Sequence, residues 1–139
     1  MIWTAFNARF FAQFPHLEEH ALKMFDYFDD EEPGHYLIFE TILQPRLDDV
    51  AETDDHEFKR LMRFVEQTAV DDSNLVYIGL GEPLPSLRNA NRIRAEAGPI
   101  TLRAIEVAER TRIQHIRDRE SSPLLDGLMK LLNIRGKKK

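Results

Sequence analysis

The sequence predicts an all-α fold in a single domain, an irregular bundle or short stack of six to seven helices, and three observations lead there. Apolar residues recur three and four positions apart in almost every segment long enough to test, as a helix with one buried face requires. The breaks between segments are polar and rich in proline and glycine, as in Asp29-Asp30-Glu31-Glu32-Pro33-Gly34 and Glu82-Pro83-Leu84-Pro85-Ser86, which read as helix stops and connectors. No two segments look like strands that could pair, and an isolated strand does not persist in water.

The elements follow in order. Trp3, Phe6, Phe10, Phe11 and Phe14 give the first helix, from about Thr4, a thick aromatic stripe, and Pro15 interrupts it. Leu17, Ala21, Met24, Phe25 and Phe28 repeat the spacing up to the polar run at Asp29. Tyr36, Phe39, Leu43, Leu47 and Val50 mark a third helix that holds Pro45, where a kink or break is expected because proline lacks the donor and clashes with the preceding turn. A second acidic loop is read from Asp48-Asp49 to Asp54-Asp55. Asp54 then caps a helix with Glu57 three residues on, and Phe58, Leu61, Met62, Val65 and Ala69 face one way. The apolar segment Asn74 to Gly81 is too short for periodicity to separate helix from strand, and helix is preferred for want of a partner strand. Gly98-Pro99 opens the longest pattern, about Ile100 to Glu120, with Leu102, Ile105, Ala108, Ile113 and Ile116 available for packing. A last helix from Ser122-Pro123 carries Leu124, Leu125, Leu128, Leu131 and Leu132, so the helical domain covers residues 1–135 and Gly136 to Lys139 form a frayed basic tail. No fixed internal period marks a repeat protein.

Composition bounds the function. A chain of 139 residues buries roughly two-thirds of its unfolded surface and folds without staples. It contains no cysteine, which removes disulfides and thiolate metal sites. No basic leader with an apolar run and no apolar stretch of spanning length is present, so a cytoplasmic protein without a membrane partner is expected. The net charge of −5 conceals a polarity: residues 1–87 hold 18 acids against 6 bases, a charge of −12, and residues 88–139 hold 6 acids against 13 bases, a charge of +7. Either the two halves meet and neutralise each other, or an acidic face remains to steer a basic partner.

Few constellations suggest chemistry. His16-Leu17-Glu18-Glu19-His20 matches H-x-x-E-H, in which histidines one turn apart bind zinc, but a short motif without its structural context does not establish a site. Arg110 and His115 have the R-x4-H spacing of helical ribonucleases of the HEPN group, in which arginine stabilises phosphate charge and histidine moves protons. Arg88, Arg92 and Arg94, with Asn89 and Asn91, are read as a connecting stretch whose arginines pair with the acidic half. The acids Asp29, Asp30, Glu31, Glu32, Asp48, Asp49, Glu52, Asp54 and Asp55 lack the alternation and glycine of a calcium loop. They read as acidic loops for a basic protein face.

Phe14-Pro-His-Leu, Phe64-Val-Glu-Gln, Val76-Tyr-Ile-Gly-Leu-Gly-Glu-Pro-Leu84 and Ala97-Gly-Pro-Ile-Thr101 resemble a family of small helical bacterial proteins that look like immunity proteins of toxin systems. The resemblance covers about residues 5 to 110, and its motifs are packing and turn signatures that carry no active-site residue. It implies a protein that binds and neutralises a cognate toxin. The expectation is therefore a non-enzymatic inhibitor with no cofactor, no metal and a protein partner, a basic toxin domain, docking on the acidic loops, with nucleic acid not expected. The alternatives are a ribonuclease using Arg110 and His115, or a homodimer formed through a stripe such as Phe6, Phe10 and Phe14.

Overall fold

The computed structural model describes residues 2–26 and 31–120, and among these the chain is helical with no strand. The order is α1 (Ala5–Gln13), a 3-10 turn (Pro15–Leu17), α2 (Glu18–Met24), α3 (His35–Ile38), a π turn (Phe39–Leu43) and α4 (Gln44–Thr53). Then come α5 (Asp55–Asp71), α6 (Ser73–Val76), a second π turn (Tyr77–Gly81), a 3-10 turn (Leu84–Ser86), α7 (Ala90–Glu96) and α8 (Pro99–Glu120). The leucine-rich segment after Ser122, the basic tail, and Asp29 and Asp30 lie outside the described residues.

The core forms around α5. Phe58, Leu61, Phe64 and Val65 of α5 are buried, and the rings of Phe6, Phe10 and Phe14 stand 5.5, 5.5 and 5.8 Å from that of Phe64. The N-terminal aromatic stripe is thus consumed inside one chain, which corrects the idea that Phe6, Phe10 and Phe14 complete their burial against a second copy. Two carboxylates fix helix starts on either side of α5: Asp54 accepts the Glu57 N–H at 3.1 Å, and Asp72 accepts the Leu75 N–H at 3.1 Å. Glu66 of α5 accepts the Ile100 and Thr101 N–H groups at 3.0 and 2.8 Å, so α5 caps α8 directly. A β-carbon on Gly98 would lie 2.5 Å from the Glu66 carboxyl carbon, so glycine there keeps the approach open.

Proline 45 does not break its helix, which runs unbroken from His35 to Thr53, and the reason lies one residue earlier. The Gln44 N–H reaches back five residues to the Phe39 carbonyl, and Pro45 follows. The same device recurs where the Glu82 N–H reaches the Tyr77 carbonyl at 2.9 Å, one residue before Pro83. A widened turn takes its last donor from the residue before the proline, so the missing donor falls outside it. The two π turns also pack on each other. The Gln44 amide donates to the Gly79 carbonyl at 3.0 Å, and a β-carbon at Gly79 would meet the Phe39 ring at 2.3 Å.

Three further readings change. Asp48, Asp49 and Glu52 belong to α4, not to a loop, because Leu47, Val50 and Ala51 are pulled into the core and keep the helix wound to Thr53. Residues 90–96 form α7, not a connector, anchored by Ile93 at 0% exposure. Ile113 and Ile116, expected to pack, stand exposed near the end of α8.

The π-turn contact leads to a direct prediction. Gly79→Ala should cost about 2 kcal/mol in urea unfolding, because Phe39 is fully buried and has no room to move. Gly34→Ala, where nothing lies within 4 Å of the added carbon, should change stability by less than about 0.5 kcal/mol.

Candidate functional site

The acidic candidates divide once their partners are known. Asp48 accepts the backbone N–H groups of Arg88 and Asn89 at 3.0 and 2.7 Å, and its own carbonyl accepts the Asn89 amide at 2.7 Å. Glu52 pairs with Arg88 at 2.7 Å, and Asp55 pairs with Arg92 and with Lys59. Arg92 also donates to the Ala51 carbonyl and lies over the Phe58 ring, 4.4 Å from its centre. Asp54 is the α5 cap. These residues form the seam between α4 and α7, where the acidic and basic halves of the sequence meet.

Glu32 is also engaged. Partial burial disfavours its charge, but hydrogen bonds from the Thr4 hydroxyl and N–H and from the Asn7 amide outweigh that and hold the carboxyl below its ordinary range. Glu31 and Asp49 are different: both are exposed, and neither carboxylate makes a hydrogen bond or ion pair among the described residues. Glu40, in the first π turn, is exposed and unpaired in the same way.

Asp49 stands at a cleft of about 410 Å³ between the 3-10 turn leading into α2 and the α3–α4 helix, lined by His16, His20, Thr41, Pro45, Arg46 and Asp49 among others. Beneath it is the most buried ion pair of the described residues. Arg46 Nε and Nη2 donate to Glu57 Oε2 and Oε1 at 2.7 and 2.8 Å, and His16 Nε2 lies 3.0 Å from Glu57 Oε2. Because an ionised carboxylate only accepts, His16 donates through Nε2. The bidentate Arg46 bond, against the opposing effect of burial and assisted by His16, lowers the Glu57 carboxyl from 4.5 to about 2. A carboxylate so weakly basic is a poor proton acceptor near neutrality. Sequence reasoning placed Glu57 only as the partner of a helix cap. The available signal was Arg46, one cation among the apolar positions Leu43, Leu47 and Val50.

The two chemical motifs are placed as follows. His16 and His20 line one cleft, but among the described residues no group of three histidine, aspartate or glutamate side chains is arranged to hold a metal ion. His115 borders a smaller recess with Tyr77, Glu82, Thr111 and Arg112, and Arg110 is not part of its lining. Five helical steps of 100° set Arg110 and His115 about 140° apart on α8. No helix among the described residues is long and apolar enough to cross a membrane.

The depressed Glu57 value has a testable sign. Stability gained from ionised Glu57 is complete above its ordinary value of 4.5 and is lost as pH falls through about 2. Urea midpoints measured across that interval should therefore fall. Glu57→Gln should cost about 3 kcal/mol at neutral pH, since Arg46 is left without its carboxylate, and should flatten the acid limb. Compared with known proteins, the chain matches no family model, no curated protein and no solved structure.

Proposed function

We propose that this chain is a non-enzymatic binding protein that docks a basic partner protein along the stretch from Glu31 to Asp49, in the manner of an immunity or antitoxin-like inhibitor working in the cytoplasm. The carrying observation is the division among its acids. Residues 31–55 contain eight acids against Arg46 alone. Asp48, Glu52, Asp54 and Asp55 are engaged within the molecule, whereas Glu31, Glu40 and Asp49 keep exposed carboxylates that make no hydrogen bond or ion pair among the described residues. Such groups remain free to pair with lysine or arginine of another protein, and the surrounding negative field accelerates encounter with it. The cleft beside Asp49 adds a concave surface whose floor is fixed by the Arg46–Glu57 pair. The family resemblance of the turn and packing motifs supports the same reading and its toxin partner.

The test is capture by the tagged full chain, at low salt, from cells that also express the neighbouring open reading frames. A basic protein should be retained and released by salt. Glu31→Gln, Glu40→Gln and Asp49→Asn combined should weaken its binding at least about ten-fold and flatten the salt dependence, with urea stability unchanged. Retention of a partner whose affinity and salt dependence ignore the triple variant would refute the acidic docking surface.

A further inference from the structure

The end of α8 presents a surface of opposite character that the acidic reading leaves unused. Every described side chain from Ile113 to Arg119 is exposed, with Ile113 and Ile116 at 49% and 46%. Residues three and four apart are neighbours on a helix, so Arg110 and Arg117 border Ile113, while Arg112 and Arg119 border Ile116. Steps of 100° place these arginines on the two flanks of the isoleucine stripe. Asp118, the one acid among residues 110–119, falls on the opposite side and accepts the Gln114 amide at 2.8 Å. Among the described residues none of the four arginines makes an ion pair; Arg112 donates to the Glu82 carbonyl at 3.4 Å and stands near enough to Glu109 to favour its charge.

We propose that this end of α8 docks on an anionic lipid surface, lying in its plane with Ile113 and Ile116 in the boundary between headgroups and acyl chains and the arginines reaching to the phosphates. This is the arrangement of an interfacial helix, in which long cationic side chains extend outward from an apolar stripe. Charge disfavours the nearer occupants. Residues 121–139 contain Asp126 as their only acid against Lys130, Arg135, Lys137, Lys138 and Lys139, so folding that segment onto the stripe would set cations against cations. A second copy packed stripe to stripe would oppose four arginines with four. A bilayer with anionic headgroups supplies both the negative charge and the apolar phase. The proposal revises the expectation that membranes play no part, which rested on spanning length; an interfacial helix needs no such length.

Co-sedimentation of the full chain with vesicles of phosphatidylcholine alone and of phosphatidylcholine mixed with phosphatidylserine tests it. Binding is expected to the mixed vesicles only. Arg110→Gln with Arg117→Gln should weaken it by about five-fold per arginine. Ile113→Ser with Ile116→Ser should weaken it by about ten-fold. Thermal unfolding should be the same in both variants, because all four side chains are exposed. The proposal is overturned if the chain ignores the anionic vesicles, if it binds heparin or RNA but not vesicles, or if vesicle binding survives both double variants.

Discussion

The packing of the Phe6, Phe10 and Phe14 rings on Phe64 is the contact on which the rest of this molecule depends. It joins the first helix to the longest buried one across fifty residues of sequence, and each ring removes a large apolar area from water. With α5 set in place, its polar groups locate the neighbours. Glu57 near its start holds Arg46 of α4 and His16 of the 3-10 turn, and Glu66 in its second half caps α8. Arg60 between them covers Phe14 and donates to the Gln13 carbonyl at 2.7 Å, closing the end of α1. Hydrophobic burial therefore supplies the driving force, and charged hydrogen bonds of α5 supply the orientation.

Two irregular turns complete the frame. Each π turn precedes a proline, and the pair meets where Phe39 lies over the bare backbone of Gly79. The Gln44 side chain satisfies the Gly79 carbonyl across the contact. At Pro45 the widened turn lets the helix run on to Thr53, whereas at Pro83 the helix has ended at Gly81 and the chain turns. The Thr41 hydroxyl, donating to the Leu37 carbonyl at 2.6 Å, ties down the same stretch, and Thr41 lines the cleft beside Asp49. The geometry of the cleft and the irregularity of the helix beneath it thus have one origin.

The acidic residues serve two purposes that composition cannot separate. Exposed ion pairs such as Glu52–Arg88 contribute little energy individually. Around Asp48, however, one carboxylate satisfies two backbone donors of the α7 approach, which orients a whole element. Acids of the first half and bases of the second pair along this seam, while unpaired carboxylates stand on the α3–α4 stretch and unpaired arginines at the end of α8. Those two regions have opposite sign.

Much of this organisation was written in the sequence. Helical spacing determined the all-α class and the aromatic stripe, the Asp54–Glu57 pair marked the start of α5, and Gly98-Pro99 marked that of α8, because each rests on contacts within a turn or two of chain. What the tertiary structure alone decided is which side chains find partners far away. Asp48, Glu52 and Asp55 read as loop acids until α7 comes to lie against them, and α7 itself has too little periodic sequence to declare a helix before Ile93 is seen buried. Glu57 reads only as the partner of a helix cap until folding brings Arg46 to it. Ile113 and Ile116 have the spacing of core residues yet remain outside, because spacing specifies a face of a helix and only the fold decides whether anything covers it.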